Sequence, residues 1–506
     1  MHRRDFLWTG AQAAAVGAAV SVSGRVEAAG SATSAAGAPS ILKSYTADDH
    51  RRRLANLGVC QRAIRSCLRK HLITNYLPAQ CCYNLGEYPC RKPWDPGADD
   101  ERELDRLKEH GIQLIQVFDE WNDSLRLFGG DKYTALNPAG FRRFIEMVHS
   151  RGMKILTYTS TGFLQQTDPD FRPDWCREGD LCRVGYWDMA RCSPASPGWR
   201  AFLLPRIVRI LDAYELDGIY IDGGYVQNYR KRQQPPAKDE VVAFEETPHY
   251  DGALTDLLAL VYAEVKRRGG ILKLHVDGAD QPRTAGQVVY DYLWVGEGVN
   301  RVDPLREAVK NLPPYVVPCI DLSFAKIENE DEQYLHAIPY LQFPILPAGR
   351  PFTGERALVP GVKYVSDQDF WMRRCREAWK YYQAHPEGPY TYSGWDAVPG
   401  RAETRPTHAR WLRQYLPLVE EGTWAWLELG ESSLFGGPLP KETVASVFAN
   451  RELYLVLANY GQAPAEIVTA EAFVRADAPT AKPATRWQVA PRSLSILRRA
   501  AVAAKA

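Results

Sequence analysis

The chain has 506 residues, of which 45% are hydrophobic and 24% are charged, and its formal net charge is +1. This length is sufficient for two or three domains, or for one large barrel with an appendage. The balanced charge argues against a nucleic-acid-binding protein and against an anionic membrane surface as partner. The many tyrosines and tryptophans suit stacking on sugar rings, and they suit a large core equally well.

The N-terminus predicts an export signal. Arg3 and Arg4 precede a mildly apolar run over residues 8–22, and small residues follow near Ala28. This order is typical of a twin-arginine signal, so we expect residues 1–29 to be removed and the protein to be periplasmic or secreted. The run is too short and too weakly hydrophobic for a membrane span, and no stable membrane anchor is expected after cleavage.

A flexible linker is predicted over residues 30–45, and strand and helix patterns alternate after it. Four apolar residues at helical spacing predict a basic helix over residues 48–71: Leu54, Leu57, Ile64 and Leu68. Eight strands are then predicted, in chain order, over residues 77–83, 112–118, 154–159, 219–221, 271–276, 292–295, 315–320 and 343–346. Helices are predicted in between, over residues 101–110, 137–152, 196–211, 252–268 and 305–312, and after the last strand over 370–385.

Eight strands that alternate with helices over about 310 residues are typical of a (β/α)₈ barrel. After residue 386 the pattern changes to one more helix and then to alternating, turn-bounded strands over residues 443–449, 453–458 and 486–489. The predicted fold is therefore α/β, a TIM barrel with a C-terminal antiparallel β domain. We expect the catalytic barrel with its N-terminal helix at residues 46–385, a connecting segment at 386–422 and the β domain at 423–506.

Acidic residues end five of the predicted barrel strands, and in such a barrel these ends lie on one rim, where chemistry is done. They are Asp119 and Glu120 after strand two, Asp222 after strand four, Asp277 after strand five, Glu297 after strand six and Asp321 after strand seven. The same rim carries residues suited to stacking on sugars and binding hydroxyls, namely Trp121, Tyr158, Tyr225, His275 and Trp294. Cleavage of a glycosidic bond requires two carboxyl groups astride it, one protonated and one ionised.

The segment Asp217-Gly218-Ile219-Tyr220-Ile221-Asp222-Gly223 resembles the strand-four motif of barrel glycoside hydrolases in the α-galactosidase/α-glucosidase superfamily. The resemblance implies Asp222 as nucleophile and Glu297 as acid/base, with the other rim residues binding an oligosaccharide or polysaccharide. This sequence departs from the family's pattern at two points. Glu follows strand six where Asp is usual, and the Lys-x-Asp before the nucleophile is absent. A retaining glycoside hydrolase is thus expected.

Three alternatives remain open. Another group of barrel glycosidases uses acids after strands four, five and seven, which here are Asp222, Asp277 and Asp321. A metal-dependent carbohydrate deacetylase or hydrolase would use His275 and Asp277 with Asp222, although one His-x-Asp is a weak metal motif. A barrel that binds sugar without cutting it is the third. The ten cysteines follow no zinc spacing and no phosphate-binding glycine loop is present, so neither a metal nor a cofactor is expected.

Overall fold

The computed structural model describes residues 45–86, 94–122, 133–166, 168–176, 181–184, 187–222, 250–276, 287–295, 306, 310, 315–318, 330–350, 380, 384 and 404–500. Across these ranges, no helix combines the length and the apolar character that a membrane crossing requires. The α-helices in them are α1 (Ala47–Ala63), α2 (Ala98–His110), α3 (Pro138–Ser150), α4 (Pro197–Ala213), α5 (Tyr250–Arg267), α6 (Asp331–Ala337) and α7 (Thr404–Tyr415).

The strands are short and most of them are buried. They are β1 (Cys67–Leu72), β2 (Gln80–Asn84), β3 (Leu114–Val117), β4 (Lys154–Ser160), β5 (Phe163–Gln165), β6 (Leu181–Val184), β7 (Trp187–Arg191), β8 (Gly218–Asp222), β9 (Ile271–Val276), β10 (Tyr292–Val295), β11 (Val316–Pro318), β12 (Leu346–Gly349), β13 (Trp424–Leu429), β14 (Thr443–Ala449), β15 (Leu453–Asn459), β16 (Ala465–Arg475), β17 (Ala484–Val489) and β18 (Ser493–Arg499).

Eight of these strands form a parallel sheet in the order β11-β10-β9-β8-β4-β3-β2-β12. Along the chain, each of these strands from β2 to β10 pairs with the next one of the eight. The last strand, β12, pairs with the first, β2. The two edges meet, because the backbone N–H of Ile345 donates to the carbonyl oxygen of Pro318 at 3.0 Å. The sheet therefore closes into the predicted (β/α)₈ barrel, which confirms the fold class.

Local signals fix the ends of the helices that surround the barrel. The side chain of Asn137 accepts a hydrogen bond from the N–H of Gly140 at 3.0 Å, and Ser196 caps α4 in the same way. A proline follows each cap at the first helical position, where its missing N–H costs nothing. Helix α2 ends at Gly111, whose φ of 99° is one that glycine adopts readily. These helices begin or end within three residues of their predicted bounds.

A second sheet has seven antiparallel strands in the order β1-β13-β14-β15-β18-β16-β17. Strand β15 pairs with β14 and β18 and lies outside the parallel ring, so the predicted antiparallel sheet is confirmed. The hydroxyl of Tyr460 donates to the carbonyl of Leu335 on α6 at 3.0 Å, and Ser446 donates to Pro339 at 2.7 Å. These buried contacts join the second sheet to the barrel.

The prediction of one helix over residues 48–71 is wrong in its second half. Helix α1 ends at Ala63, Ile64 adopts an extended backbone, and β1 pairs antiparallel with β13. Leu68, one of the four apolar residues behind that prediction, lies on this edge strand, where Nζ of Lys70 is 4.6 and 5.0 Å from the ring centroids of Trp424 and Trp426. Helix α1 also shares a buried cluster with the second sheet, so this N-terminal segment packs there.

Two other parts of the chain differ from prediction. A three-stranded antiparallel sheet, β5-β7-β6, was not predicted and follows β4. The eighth barrel strand, β12, begins at Leu346, which is the last residue of the strand predicted over 343–346, and Phe343 stacks on Tyr415 of α7 with 5.0 Å between ring centroids. The predicted helices over residues 305–312 and 370–385 lie largely outside the described residues.

Gly218 allows the backbones of β8 and β9 to approach closely. Its φ is 151°, and a Cβ on it would lie 1.8 Å from the carbonyl oxygen of Ile271. We therefore expect Gly218→Ala to lower the free energy of unfolding by about 3 kcal/mol or more, as measured by urea unfolding. Gly252→Ala in α5 is the matched control, since an added Cβ there meets nothing within 4 Å. Wild-type stability of Gly218→Ala would contradict the close strand approach.

Two histidines join α2 to α7. The Nε2 of His110 lies 2.7 Å from the Nδ1 of His408, and the Nε2 of His408 lies 3.2 Å from the carbonyl oxygen of Pro344. With His408 donating to that carbonyl, its Nδ1 accepts from His110, and this arrangement requires His408 to be neutral. Burial, with smaller contributions from the cations of Arg405 and Arg413, lowers the pKa of His110 to about 4. Burial lowers the pKa of His408 as well.

This pair should make the fold sensitive to acid. The folded state holds these histidines neutral. Their contribution to the free energy of unfolding is therefore complete above the ordinary histidine pKa near 6.5, and it is lost as the pH falls from there towards 4. We expect the free energy of unfolding to fall by about 2 kcal/mol more between pH 7 and pH 5 in the wild type than in His110→Gln. His50→Gln, a variant of a partly exposed histidine on α1, should keep the wild-type dependence. The same dependence of the unfolding free energy on pH in all three proteins would contradict this role of the histidine pair.

Candidate active site

The candidate site lies at the barrel mouth, defined here as the carboxyl ends of the eight parallel strands. Strand β8 has an aspartate at each end. Asp217, at its start, accepts hydrogen bonds from Lys154 Nζ at 3.1 Å and from the N–H of Ile155 at 3.0 Å, and it lies 2.8 Å from His149. These contacts give Asp217 a structural role at the end of the strand opposite the mouth. Asp222, at the mouth, keeps 26% of its side chain exposed.

Both carboxylate oxygens of Asp222 are held by neighbouring strands. The hydroxyl of Tyr158, on β4, donates to Oδ2 at 2.9 Å, and Nδ1 of His275, on β9, lies 3.1 Å from Oδ1. An ionised carboxylate can accept both bonds, with Nδ1 carrying the histidine proton. The side chain of His275 is only 5% exposed, so its ring orientation is fixed by packing. Tyr158, Asp222 and His275 thus form one hydrogen-bonded set at the mouth.

An aromatic layer lies beneath this set inside the barrel. The ring of Trp294 lies 4.9 Å from that of Tyr220, 5.0 Å from that of Phe118 and 5.7 Å from that of His275. Trp294 is fully buried. It therefore forms the floor below Asp222, and the prediction that it contacts a sugar directly gains no support from this position.

A lysine lies one layer deeper and was missed by the sequence reading. Lys273 precedes His275 by two residues on β9, so both side chains point to the same face of the strand. Its side chain is fully buried, and Nζ donates to Oε1 of Gln80 at 3.0 Å. The alternation of Lys273 and His275 with Leu272 and Leu274 was the signal that could have revealed it. This hydrogen bond joins β9 to β2 inside the barrel.

The residues after β3 have different positions from those expected. Trp121 is fully buried, stacks on Phe141 of α3 at 5.1 Å and donates its indole N–H to the carbonyl of Tyr158 at 2.9 Å. This placement gives Trp121 a packing role beside the site. Glu120 is 2% exposed, and its backbone carbonyl accepts from Trp94 at 3.1 Å. A short 3₁₀ helix over Asp119–Trp121 sets both orientations.

Several predicted site residues fall outside what the structure describes. They are Tyr225, Asp277, Glu297, Asp321 and the side chain of Asp119. In the described part of the chain, no group of three or more His, Cys, Asp or Glu side chains could hold a metal ion. The metal alternative also needs Asp277, which follows the last described residue of β9.

The described groups suit one kind of chemistry. A partly exposed carboxylate, oriented by two donors above an apolar floor, can attack an electrophilic carbon or stabilise a cationic one. Trp121 supports this arrangement from outside, because its hydrogen bond fixes the backbone of Tyr158. The sequence predicted Asp222 at this strand end, and the structure shows the hydrogen-bond partners of its carboxylate.

Comparisons with known proteins show the fold. No protein-family model matches the chain, and no curated protein matches it. Among solved structures, a noncanonic maltogenic α-amylase, AmyB, from Thermotoga neapolitana has a TM-score of 0.50 at 11% identity, covering 84% of this chain and 100% of its own. A β-L-arabinopyranosidase of family GH27 from Geobacillus stearothermophilus also has a TM-score of 0.50, at 10% identity, covering 85% of this chain and 98% of its own.

Proposed function

We propose that the protein is a glycoside hydrolase that cleaves an O-glycosidic bond of an oligosaccharide or polysaccharide. The observation that carries this proposal is the placement of Asp222 at the mouth of the fourth barrel strand, with Tyr158 and His275 holding its two oxygens. Two of the solved structures that share this fold are named as an amylase and an arabinopyranosidase, and both names denote enzymes that hydrolyse glycosidic bonds. Their low identity leaves substrate and anomer open.

Retention is the mechanism that we infer, with Asp222 as nucleophile and Glu297 as acid/base. Glu297 follows the end of β10 by two residues, and β10 is the second neighbour of β8 in the sheet. Side chains from these strands can converge across the mouth. A retaining enzyme needs its two carboxyl groups about 5–5.5 Å apart, and an inverting one about 6.5–9.5 Å.

The neighbours of Asp222 have positioning roles in this proposal. Tyr158 and His275 hold the carboxylate in one orientation, so that an oxygen lone pair can face the anomeric carbon. The buried layer formed by Trp294, Tyr220 and Phe118 keeps water from below. Asp119, Tyr225, Asp277 and Asp321 remain candidates for binding substrate hydroxyls.

A substrate screen tests the proposal. The wild type and Asp222→Asn are compared on a panel of nitrophenyl glycosides and common polysaccharides, with reducing ends as readout. We expect at least one substrate to be cleaved by the wild type alone. Saturable sugar binding without cleavage would support a non-catalytic barrel. Activity that a chelator abolishes and added metal restores would support the metal-dependent alternative.

Export through the twin-arginine route is also proposed, from Arg3-Arg4 and the apolar run behind them. The route recognises the paired arginines, so Arg3→Lys with Arg4→Lys should leave the protein in the cytoplasm. Cell fractionation and immunoblotting measure this. Arg25→Lys, outside the pair, is the control and should be exported. Unchanged export of the double variant would contradict the proposal.

A further inference from the structure

A cavity of about 390 Å³ lies where α7 meets the second sheet. None of its lining residues belongs to the barrel strands or to the candidate active site. Its lining includes three arginines, one acid and two residues able to contact a sugar ring or its hydroxyls: Arg410, Arg413, Arg498, Asp477, Tyr454 and Gln414. Its volume is within the range of pockets that hold small molecules.

The charges around this cavity are unbalanced. Both oxygens of Asp477 accept from Arg475, at 2.8 and 2.6 Å, so this acid is already engaged. Arg410 forms an ion pair with Asp331 of α6. Arg413 and Arg498 have no ion pair with any carboxylate in the described part of the chain. Arg413 and Arg498 therefore line a cavity whose one acid, Asp477, is already paired with Arg475.

The elements that present these side chains are regular and fixed. Arg410, Arg413 and Gln414 are three and four residues apart and lie on one face of α7. Arg498 on β18 is directly opposite Tyr454 on β15, so the two side chains are neighbours on the same face of the sheet. Ala476, Asp477 and Pro479 belong to the turn that follows β16, so a helix, a sheet and a turn together form the cavity.

The helix end alone does not account for this arrangement. Arg413 is in the last turn of α7, where a cation is favoured by the helix dipole. Arg498 comes from β18, outside the helix, and lines the same cavity. A guanidinium group has the planar donor geometry that matches carboxylates and other oxyanions. An anion in the cavity can accept hydrogen bonds from both arginines.

We propose that this cavity binds a sugar that carries a carboxylate, such as a uronic acid. The carboxylate accepts hydrogen bonds from Arg413 and Arg498, the ring lies against Tyr454, and Gln414 contacts hydroxyls. The site is non-catalytic and binds one negatively charged sugar unit of a longer saccharide. The choice of a sugar as ligand rests on the proposed carbohydrate substrate, whereas binding at this site requires no hydrolysis.

Calorimetric titration with glucuronate tests it, since this monosaccharide has no glycosidic bond to cleave. We expect saturable binding that Arg413→Gln and Arg498→Gln each weaken at least about tenfold, as the loss of a charged hydrogen bond implies. Arg486→Gln, in an exposed pair with Glu466, is the control and should bind as the wild type does. Asp222→Asn should also bind normally, which separates this site from the active site.

Two further ligands identify the chemistry. Inorganic phosphate should compete with glucuronate, because it is also an oxyanion. Glucose, at the concentration used for glucuronate, should show no saturable binding. Absence of saturable glucuronate binding would overturn the proposal, and so would equal binding by the wild type and both arginine variants. Phosphate binding without glucuronate binding would overturn the assignment of a sugar. Circular dichroism and the melting temperature confirm that each variant is folded.

Discussion

Asp222→Asn is expected to lower kcat/KM by at least about 10⁴-fold on any substrate that the wild type cleaves, while leaving the protein folded. An amide oxygen is a poor nucleophile and cannot form the covalent glycosyl intermediate that retention requires. The loss of a contact to a single substrate hydroxyl should cost about 10²-fold or less. The size of the effect therefore distinguishes a nucleophile from a binding residue. Initial rates on the best substrate of the panel provide the measurement.

Asp217→Asn is the matched control, because Asp217 lies at the other end of the same strand. Its contacts with Lys154, Ile155 and His149 are structural, so we expect the variant to lose stability and to keep kcat within about tenfold per folded molecule. Similar activities of the two variants would remove Asp222 from the chemistry.

Glu297→Gln should produce a loss that depends on the leaving group. A general acid protonates the departing oxygen, so its removal should cost about 10²–10⁴-fold on substrates with poor leaving groups. Substrates with dinitrophenolate, which leaves without protonation, should retain most of their glycosylation rate. The ratio of kcat/KM for the two substrate types, in wild type and variant, is the measurement.

Glu120→Gln is the control for this second prediction. Glu120 is the other glutamate predicted at the rim, and it is buried after β3. We expect its removal to affect both substrate types equally. If Glu120→Gln gave the leaving-group dependence and Glu297→Gln did not, the acid/base would be Glu120.

The barrel could be predicted because its signals are local. Strands β9 and β10 have the predicted bounds, and caps such as Asn137 and Ser196 mark helix starts in the sequence itself. Strand β1 could not be predicted, because its partner β13 lies about 350 residues later and its charged residues suit an exposed helix as well as an edge strand.

The site was predicted in part for a similar reason. The end of a buried strand is visible in the sequence, and this placed Asp222 at the mouth. The direction of a side chain in a short 3₁₀ helix is not visible in the sequence. Trp121 was therefore expected at the rim, although it packs on Phe141. The contact between Tyr158 and Asp222 depends on the register of β4 and β8, which only the assembled barrel defines.

Trapping of the covalent intermediate tests the central claim most directly. Once the panel has identified the sugar, the corresponding dinitrophenyl 2-deoxy-2-fluoroglycoside is incubated with the enzyme, since the fluorine slows hydrolysis of the intermediate. We expect a mass increase of one fluorosugar per chain, located by peptide mass spectrometry on Asp222 and absent from Asp222→Asn. A label on another carboxylate of the wild type, or cleavage of substrate with inversion at the anomeric carbon, would contradict it.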